Sequence, residues 1–551
     1  VSTTSTKSSR KSRSKDAPAK KITDAPVVGR EMSERAWRLS SLGILIVGAF
    51  LRLYNLSLVP LHHDEGVNGN FLVTLVREGK YTYNPENYHG PTLYFFSAVI
   101  PWIARFFGGK AFGDNYGLTT FNIRLVTAAF GIGTIWLALL LRKRIGTIGA
   151  LSAAGLIAVS PGAVYLSRYF IHESLFVFFM LGIVVAALKY YDSGRAAYLI
   201  LASIAAALMV ATKETWIING PVLLIALITT SIYFWLRDQL GRRQSESSLG
   251  ERWRQTIERF GGPIPLATVA LVAFAVFIIV NVLFYSSFFT NYPKGVNDAL
   301  QTLNMWRHRT QEHYHPPYQY VYWLLQEEGI VLVLGGLGAL VAVWRANNRL
   351  AVFLSLWSFG LLAAYSLVGY KTPWISLNFI VPLALTSGYA LDVAYQKLRE
   401  FGQPRHHFIA LAVLIAAPCC YQMYQLNFVH YDDDAYPYVY AHTRREMLQM
   451  LEQIDKVANR IGTGTDTGIA LVSPDYWPLP WYFRDYKKVG YYQQIVPTTE
   501  PLIIGSLAQE EQLKEAYGDR YVMIPSAKYD GSYDLRPGVD LLLYVRKDVA
   551  K

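Results

Sequence analysis

The chain has 551 residues, 52% of them hydrophobic, 14% aromatic and only 17% charged, with a formal net charge of +12. Soluble domains carry roughly 25% charged residues, and a soluble chain of this length divides into several domains with polar surfaces. The composition excludes that class, and the placement of the positive charge argues against nucleic acid as a partner.

Residues 1–38 contain ten Lys/Arg, among them Lys7, Arg10, Lys11, Arg13 and Lys15. They sit in a Ser/Thr/Lys-rich tail that cannot bury a core, so residues 1–36 are expected to be a disordered tail. The tail is too long and too polar before the first apolar run to be a secretory signal. Basic residues before a first span hold the N-terminus on the cytoplasmic side.

About eleven apolar runs follow, each long enough to cross a bilayer as a helix. They lie near 38–56, 121–141, 147–166, 173–191, 196–212, 216–236, 264–286, 321–344, 350–368, 374–395 and 407–426. With the N-terminus inside, the inner loops receive Arg142-Lys143-Arg144, then Lys189 and Arg195, then six Arg in 237–262, then Arg345 and Arg349, and finally Lys397, Arg399 and Arg405. That is the expected positive-inside alternation. A further apolar run, 92–107, would invert everything downstream if it spanned, so it is read as a helix lying in the outer interface. The first outer loop then covers 57–120, within a membrane domain of 37–426.

Cys419 and Cys420 are adjacent inside an apolar run, where thiols are usually inert packing residues. After 427 the hydropathy changes. Residues 427–551 hold 14 Lys/Arg and 18 Asp/Glu, a balance of −4. A helical pattern covers about 440–460 and another 508–517. Short apolar runs begin at Ile469, Leu502, Tyr521 and Leu541. Alternating strands and helices predict a small α/β domain, and an odd span count places it outside. The fold class expected is mainly α, a polytopic helical bundle with a C-terminal extracytoplasmic α/β domain.

Acidic residues at the outer ends of spans are the chemical signal. His62-His63-Asp64-Glu65-Gly66 opens an amphipathic helix, with Val67, Phe71, Leu72, Leu75 and Val76 at helical spacing. Asp64 at that start can act as an N-cap. The same position keeps a carboxylate ionised and fixed, as chemistry at the membrane surface requires. His172-Glu173 begins the run at 173–191, and a carboxylate there should face protein or a cavity rather than lipid. Few cations lie outside. Arg168, Lys213 (followed by Glu214) and Lys371, in Tyr370-Lys371-Thr372-Pro373-Trp374, stand out as candidate ligands for a lipid phosphate. Snorkelling is the alternative for each Lys. The loop 287–318, with Trp306, His308, His313 and His315, combines aromatics and polar residues suited to sugar stacking and is a candidate lid. Asp64, Glu65 and His172 form a possible divalent-metal set. Oxygen ligands there would favour Mg²⁺ or Mn²⁺, although no HExxH or CxxC spacing is present.

An Asp-Glu pair soon after the first span, a long outer loop with an interfacial helix, and a second acidic residue after the third span resemble the GT-C glycosyltransferases. The pattern is similar to protein O-mannosyltransferases and lipid A aminoarabinose transferases. His62-His63-Asp64-Glu65-Gly66, Tyr370-Lys371-Thr372-Pro373-Trp374 and Tyr476-Trp477-Pro478-Leu479-Pro480-Trp481-Tyr482 resemble the prokaryotic mannosyltransferase-like proteins labelled flippase activity-associated. The resemblance implies a prokaryotic plasma-membrane enzyme. It would transfer a sugar from a polyprenyl-phosphate donor to a protein, glycan or lipid acceptor on the outer face, among membrane lipids and with no required cofactor. By motif, Asp64 matches the catalytic carboxylate and Glu65 its neighbour. Glu173 stands where relatives usually have Asp, and His89 near where some have a phosphate-binding Lys. Tyr476 and Trp477, with Trp306 and His308, are the candidate acceptor contacts. Two other classes remain as alternatives: a translocator or accessory protein for lipid-linked sugars, and a non-catalytic subunit of a membrane complex. Spans that are mostly apolar in their middles favour the enzyme.

Overall fold

The computed structural model describes residues 32–87, 89–108, 117–240, 257–306 and 313–550, with 250 and 254. Nearly all of the expected basic tail lies outside the described residues. Helix α1 (Glu34–Leu53) comes first. The loop 57–120 contributes α2 (His63–Glu78) and α3 (Thr92–Gly108). Next come α4 (Thr120–Leu139), α5 (Thr147–Val159), α6 (Pro161–Ser167) and α7 (Glu173–Ser193). Helices α8 (Ala196–Val210), α9 (Trp216–Leu240), α10 (Pro263–Tyr285) and α11 (Lys294–Trp306) follow. The bundle closes with α12 (Gln319–Glu327), α13 (Gly329–Arg345), α14 (Arg349–Leu367), α15 (Leu377–Glu400) and α16 (Arg405–Tyr424).

Among the described residues, eight helices are long and apolar enough to cross a bilayer, and two bent pairs raise that to ten. The protein is a multi-pass membrane protein. The eleventh expected run is α8, whose 15 residues span only about 22 Å. The run expected as one span near 321–344 is instead two helices, α12 and α13, meeting at 112°. The other bend, 60°, separates α5 from α6 at Pro161, which cannot donate a backbone hydrogen bond. The two breaks meet. The carboxylate of Glu328, between α12 and α13, accepts from Ser160 Oγ at 2.6 Å and Gly162 N at 2.8 Å. A buried helix start needs such partners, because its first N–H groups have none inside the helix.

Helix α15 is the core of the bundle. Its span window is 89% buried, against 6% for α10, which therefore faces lipid. Helix α15 packs on both α5 and α13.

The C-terminal segment folds as three layers. It contains α17 (Glu446–Arg460), β1 (Gly468–Leu471), α18 (Leu479–Tyr482), β2 (Lys488–Tyr491), β3 (Leu502–Ser506), α19 (Glu510–Tyr517), β4 (Tyr521–Ile524), β5 (Tyr533–Arg536) and β6 (Val539–Arg546). The sheet order is β2-β1-β3-β6-β4, with β5 also on β6. Strand β1 is parallel to β2 and β3, and β6 is antiparallel to its partners. Ile469, Leu471, Leu502, Ile504, Leu541 and Leu543 meet Met447, Met450 and Ile454 of α17. Ala470, Ile503, Leu542 and Tyr544 meet Leu513 and Tyr517 of α19. Burial of both faces is why these strands read as continuous apolar runs rather than as alternation. Strands β2 and β5 escaped the sequence reading. Each is four residues long, and β2 (Lys488-Val489-Gly490-Tyr491) is an edge strand exposed at both ends.

The orientation predicted from charge is open to a direct test. With Cys419 and Cys420 replaced by Ala, a Gly108→Cys chain should react with a membrane-impermeant maleimide from outside the cell. Labelling only from the cytoplasmic side would invert the topology.

Candidate active site

Helix α2 presents the two acidic residues of its first turn to opposite environments. Its cap is His62 rather than the expected Asp64: His62 Nδ1 accepts the Asp64 N–H at 3.0 Å, and Glu65 returns the bond by accepting the His62 N–H at 3.0 Å. This reciprocal cap fixes the first turn. The side chain of Asp64 keeps 39% of its surface exposed and faces a cavity. Glu65 is fully buried and faces protein.

Glu65 is bound on both oxygens. It accepts from Arg124 Nε at 2.7 Å, Arg124 Nη2 at 2.6 Å and Phe170 N at 2.6 Å, besides His62 N. Arg124, the fifth residue of α4, gives its remaining N–H groups to the carbonyls of Leu56, Val59 and Pro60. All five guanidinium donors are thereby used, in the planar two-point geometry that favours Arg over Lys. The sequence reading missed Arg124 because it sits inside an apolar run. An arginine near the start of an otherwise apolar run was the available signal.

The cavity has a volume of about 310 Å³ and is walled by the ends of several helices and their loops. Asp64, Glu173, Lys213 and His89, expected from sequence to act together, all line it. So do His63, Glu214, His313, Tyr370 and Trp374, to which the sequence reading gave no definite role. Glu173, in the first turn of α7, pairs with Lys213 from the turn between α8 and α9. Both are nearly fully buried. Burial disfavours the Lys213 ammonium, but Glu173 and Glu214 outweigh it and raise its pKa. Beside them, His89 Nδ1 lies 3.0 Å from Glu214 Oε2. Burial pushes the Glu214 carboxyl up, yet His89 and Lys213 hold it below the usual carboxylate range. Gly90 N donates to Thr212 O at 2.9 Å, pinning the His89 loop to the Lys213 turn. Acid and base alternate along this wall: Glu173, Lys213, Glu214, His89.

Other expected site residues are placed elsewhere. Arg168 does not line the cavity. Its guanidinium donates to the carbonyls of Leu51, Tyr54 and Asn55 at 3.1, 2.6 and 2.9 Å, holding the C-terminal end of α1, where a cation is favoured. Lys371 donates to the carbonyls of His315 (3.1 Å) and Val368, bracing two loops, while its neighbours Tyr370 and Trp374 reach the cavity. The suggested metal set does not assemble. Glu65 is held by Arg124, and His172 Nε2 lies on Gly90 O at 3.0 Å. Burial, with His89 and Lys213, keeps His172 neutral. Among the described residues no three or more His, Cys, Asp or Glu gather as a metal site. Trp306 ends α11, and His308 lies outside the described residues.

The Tyr476–Tyr482 motif docks the C-terminal layers onto α2. A Cβ at Gly66 would lie 2.5 Å from Pro478 Cβ, and one at Gly69 would lie 2.6 Å from Trp481 Cε3. Glycine at i and i+3 therefore lets α18 lie directly on the α2 backbone. Tyr482 Oη accepts the Leu61 N–H at 2.9 Å, and Arg77 of α2 pairs with Asp485. Tyr476 and Trp477 stay half-buried at the edge of this contact.

Comparison with known proteins agrees with this architecture. Residues 97–241 match the family model of dolichyl-phosphate-mannose-protein mannosyltransferases. ArnT from Cupriavidus metallidurans, bound to undecaprenyl phosphate, superposes with a TM-score of 0.58 at 15% identity, over 94% of this chain and 100% of that one. The archaeal oligosaccharyltransferase AglB from Archaeoglobus fulgidus, in complex with an inhibitory peptide and a dolichol-phosphate, gives 0.53 at 14% identity, over 88% of this chain and 71% of that one. No curated protein matches in sequence. The chain has the GT-C fold. The family model and these matching folds are those of membrane glycosyltransferases, in keeping with the resemblance drawn from the motifs.

The buried pair can be tested by a double-mutant cycle. Arg124→Met should destabilise the protein by about 3–5 kcal/mol, because it strands a buried carboxylate. Adding Glu65→Gln should recover part of that loss, read as thermal unfolding in detergent. Additive losses would show that the two side chains are not coupled.

Proposed function

We propose that this protein transfers a sugar from a polyprenyl-phosphate donor to an acceptor on the outer face of the membrane, with inversion at the anomeric carbon and Asp64 as the base. The observation that carries this reading is the cavity, which joins a helix-mounted, partly exposed carboxylate to a buried, charged lysine in a GT-C fold. The polyprenyl phosphates bound to the structures of ArnT and AglB support the donor class. The match to mannosyltransferases over 97–241 supports sugar transfer.

The residues supply the chemistry as follows. Asp64 accepts the proton of an acceptor hydroxyl as its oxygen bonds to the anomeric carbon. The bond from that carbon to the phosphate oxygen breaks on the opposite face, and the lipid phosphate leaves with the electron pair. Lys213 has three N–H donors, so it can bind the departing phosphate while keeping Glu173. Glu173 and Glu214 hold Lys213 charged in a site where an unpaired ammonium would be costly. His89 lies on the same wall, beside Glu214. Tyr370 and Trp374 narrow the cavity, which limits water and hence hydrolysis of the donor.

Asp64→Asn should leave thermal stability within the normal range of surface changes, because the side chain is partly exposed. It should cut transfer from a synthetic polyprenyl-phosphate sugar at least about 100-fold. Full transfer by this variant would remove Asp64 from the mechanism.

A further inference from the structure

A row of aromatic rings leads away from the rim of the cavity at His63. His63, in the first turn of α2, lines the cavity and also meets Trp477, with ring centroids 6.1 Å apart. Trp477 stacks on Tyr476 at 5.8 Å and 28°. Tyr476 meets Tyr491, the last residue of edge strand β2, at 5.3 Å. Each step is about one sugar ring. None of these side chains belongs to the apolar clusters as a fully buried member, and Tyr491 is 38% exposed.

Polar groups flank the row. Gln493 Nε2 donates to Tyr476 Oη at 3.2 Å. Arg536, at the end of β5, donates to Asp475 Oδ1 at 2.7 Å and to Trp477 O at 3.0 Å. It thereby fixes the 475–477 segment and leaves the Asp475 carboxylate, 55% exposed, at the rim.

Aromatic faces with an adjoining amide and carboxylate suit a carbohydrate, because a sugar presents an apolar C–H face and a ring of hydroxyls. A peptide strand would use the open backbone edge of β2 rather than these rings. A lipid tail would avoid the Asp475–Arg536 pair, since burying charge in hydrocarbon is costly. Continuity with the cavity sets the direction of approach: a chain lying on the row reaches Asp64 past His63.

We propose that the row Tyr491–Tyr476–Trp477–His63 is a docking platform for a glycan acceptor, which it feeds toward Asp64. The proposal rests on the transfer reading above for what happens at the end of the row. It makes the acceptor an oligosaccharide of several units, held outside the cavity by stacking.

The experiment is binding without turnover, on the full chain in detergent. Calorimetric titration uses maltotetraose, cellotetraose and mannotetraose, with a neutral tetrapeptide and phosphatidylglycerol vesicles as comparisons. At least one tetrasaccharide should bind saturably, and Tyr491→Ala should weaken it about tenfold, with Tyr491→Phe close to the parent. Tyr491→Ala should still bind undecaprenyl phosphate normally, which separates a platform from a folding role. Binding is read with no donor present and no transfer, so this result stands apart from the fate of the transfer mechanism. Failure of all three sugars to bind, unchanged affinity in Tyr491→Ala, loss of undecaprenyl phosphate binding in that variant, or preference for the peptide or vesicles would each overturn the proposal.

Discussion

The buried Glu65–Arg124 pair is the interaction on which the site depends. Arg124 belongs to α4, its carbonyl partners to the chain leaving α1, and Glu65 to α2, while Phe170 N comes from the loop before α7. The pair thus registers three stretches that are distant in sequence: residues 56–65, Arg124 and Phe170. Isolated, either charge would be prohibitively costly at this depth, and the geometry repays that cost only because every donor and both oxygens are used. The pair does not touch the cavity. It sets the first turn of α2, and that turn aims the adjacent Asp64.

The cavity wall shows the same economy of charge. Lys213 is held between Glu173 and Glu214, and His89 completes the alternation. Such a wall can accept an anionic phosphate through the lysine's further N–H donors without carrying a large unbalanced positive charge in its absence. The docking of α18 on Gly66 and Gly69 adds a third constraint. It ties the C-terminal layers to the helix that carries Asp64, so the proposed acceptor platform and the proposed base are packed together through α18.

Much of this was legible in the sequence. Apolar runs marked the spans, since length and composition alone decide whether a helix can cross a bilayer. The Asp-Glu pair and His89 were visible as polar residues of the long first loop, and Glu173 and Lys213 as polar residues at span ends; all but Glu65 share the cavity. Side-chain direction was not legible. Asp64 and Glu65 are neighbours, and adjacent residues on a helix point about 100° apart, so sequence could not say which one faced protein. Arg168 and Lys371 looked like Lys213 in one dimension but spend their donors on backbone carbonyls. The 112° fold at Glu328 was hidden because its partners, Ser160 and Gly162, lie far away in sequence. Strand β2 was hidden because an edge strand need not be apolar.

The central claim is that the donor phosphate meets Lys213 beside Asp64. The most direct test is a cryo-EM structure of the protein with undecaprenyl phosphate. The account predicts phosphate density in the cavity, within hydrogen-bond distance of Lys213 Nζ, with the Glu65–Arg124 pair intact. Phosphate bound instead at Arg168 or Lys371, with the cavity left to solvent, would contradict it.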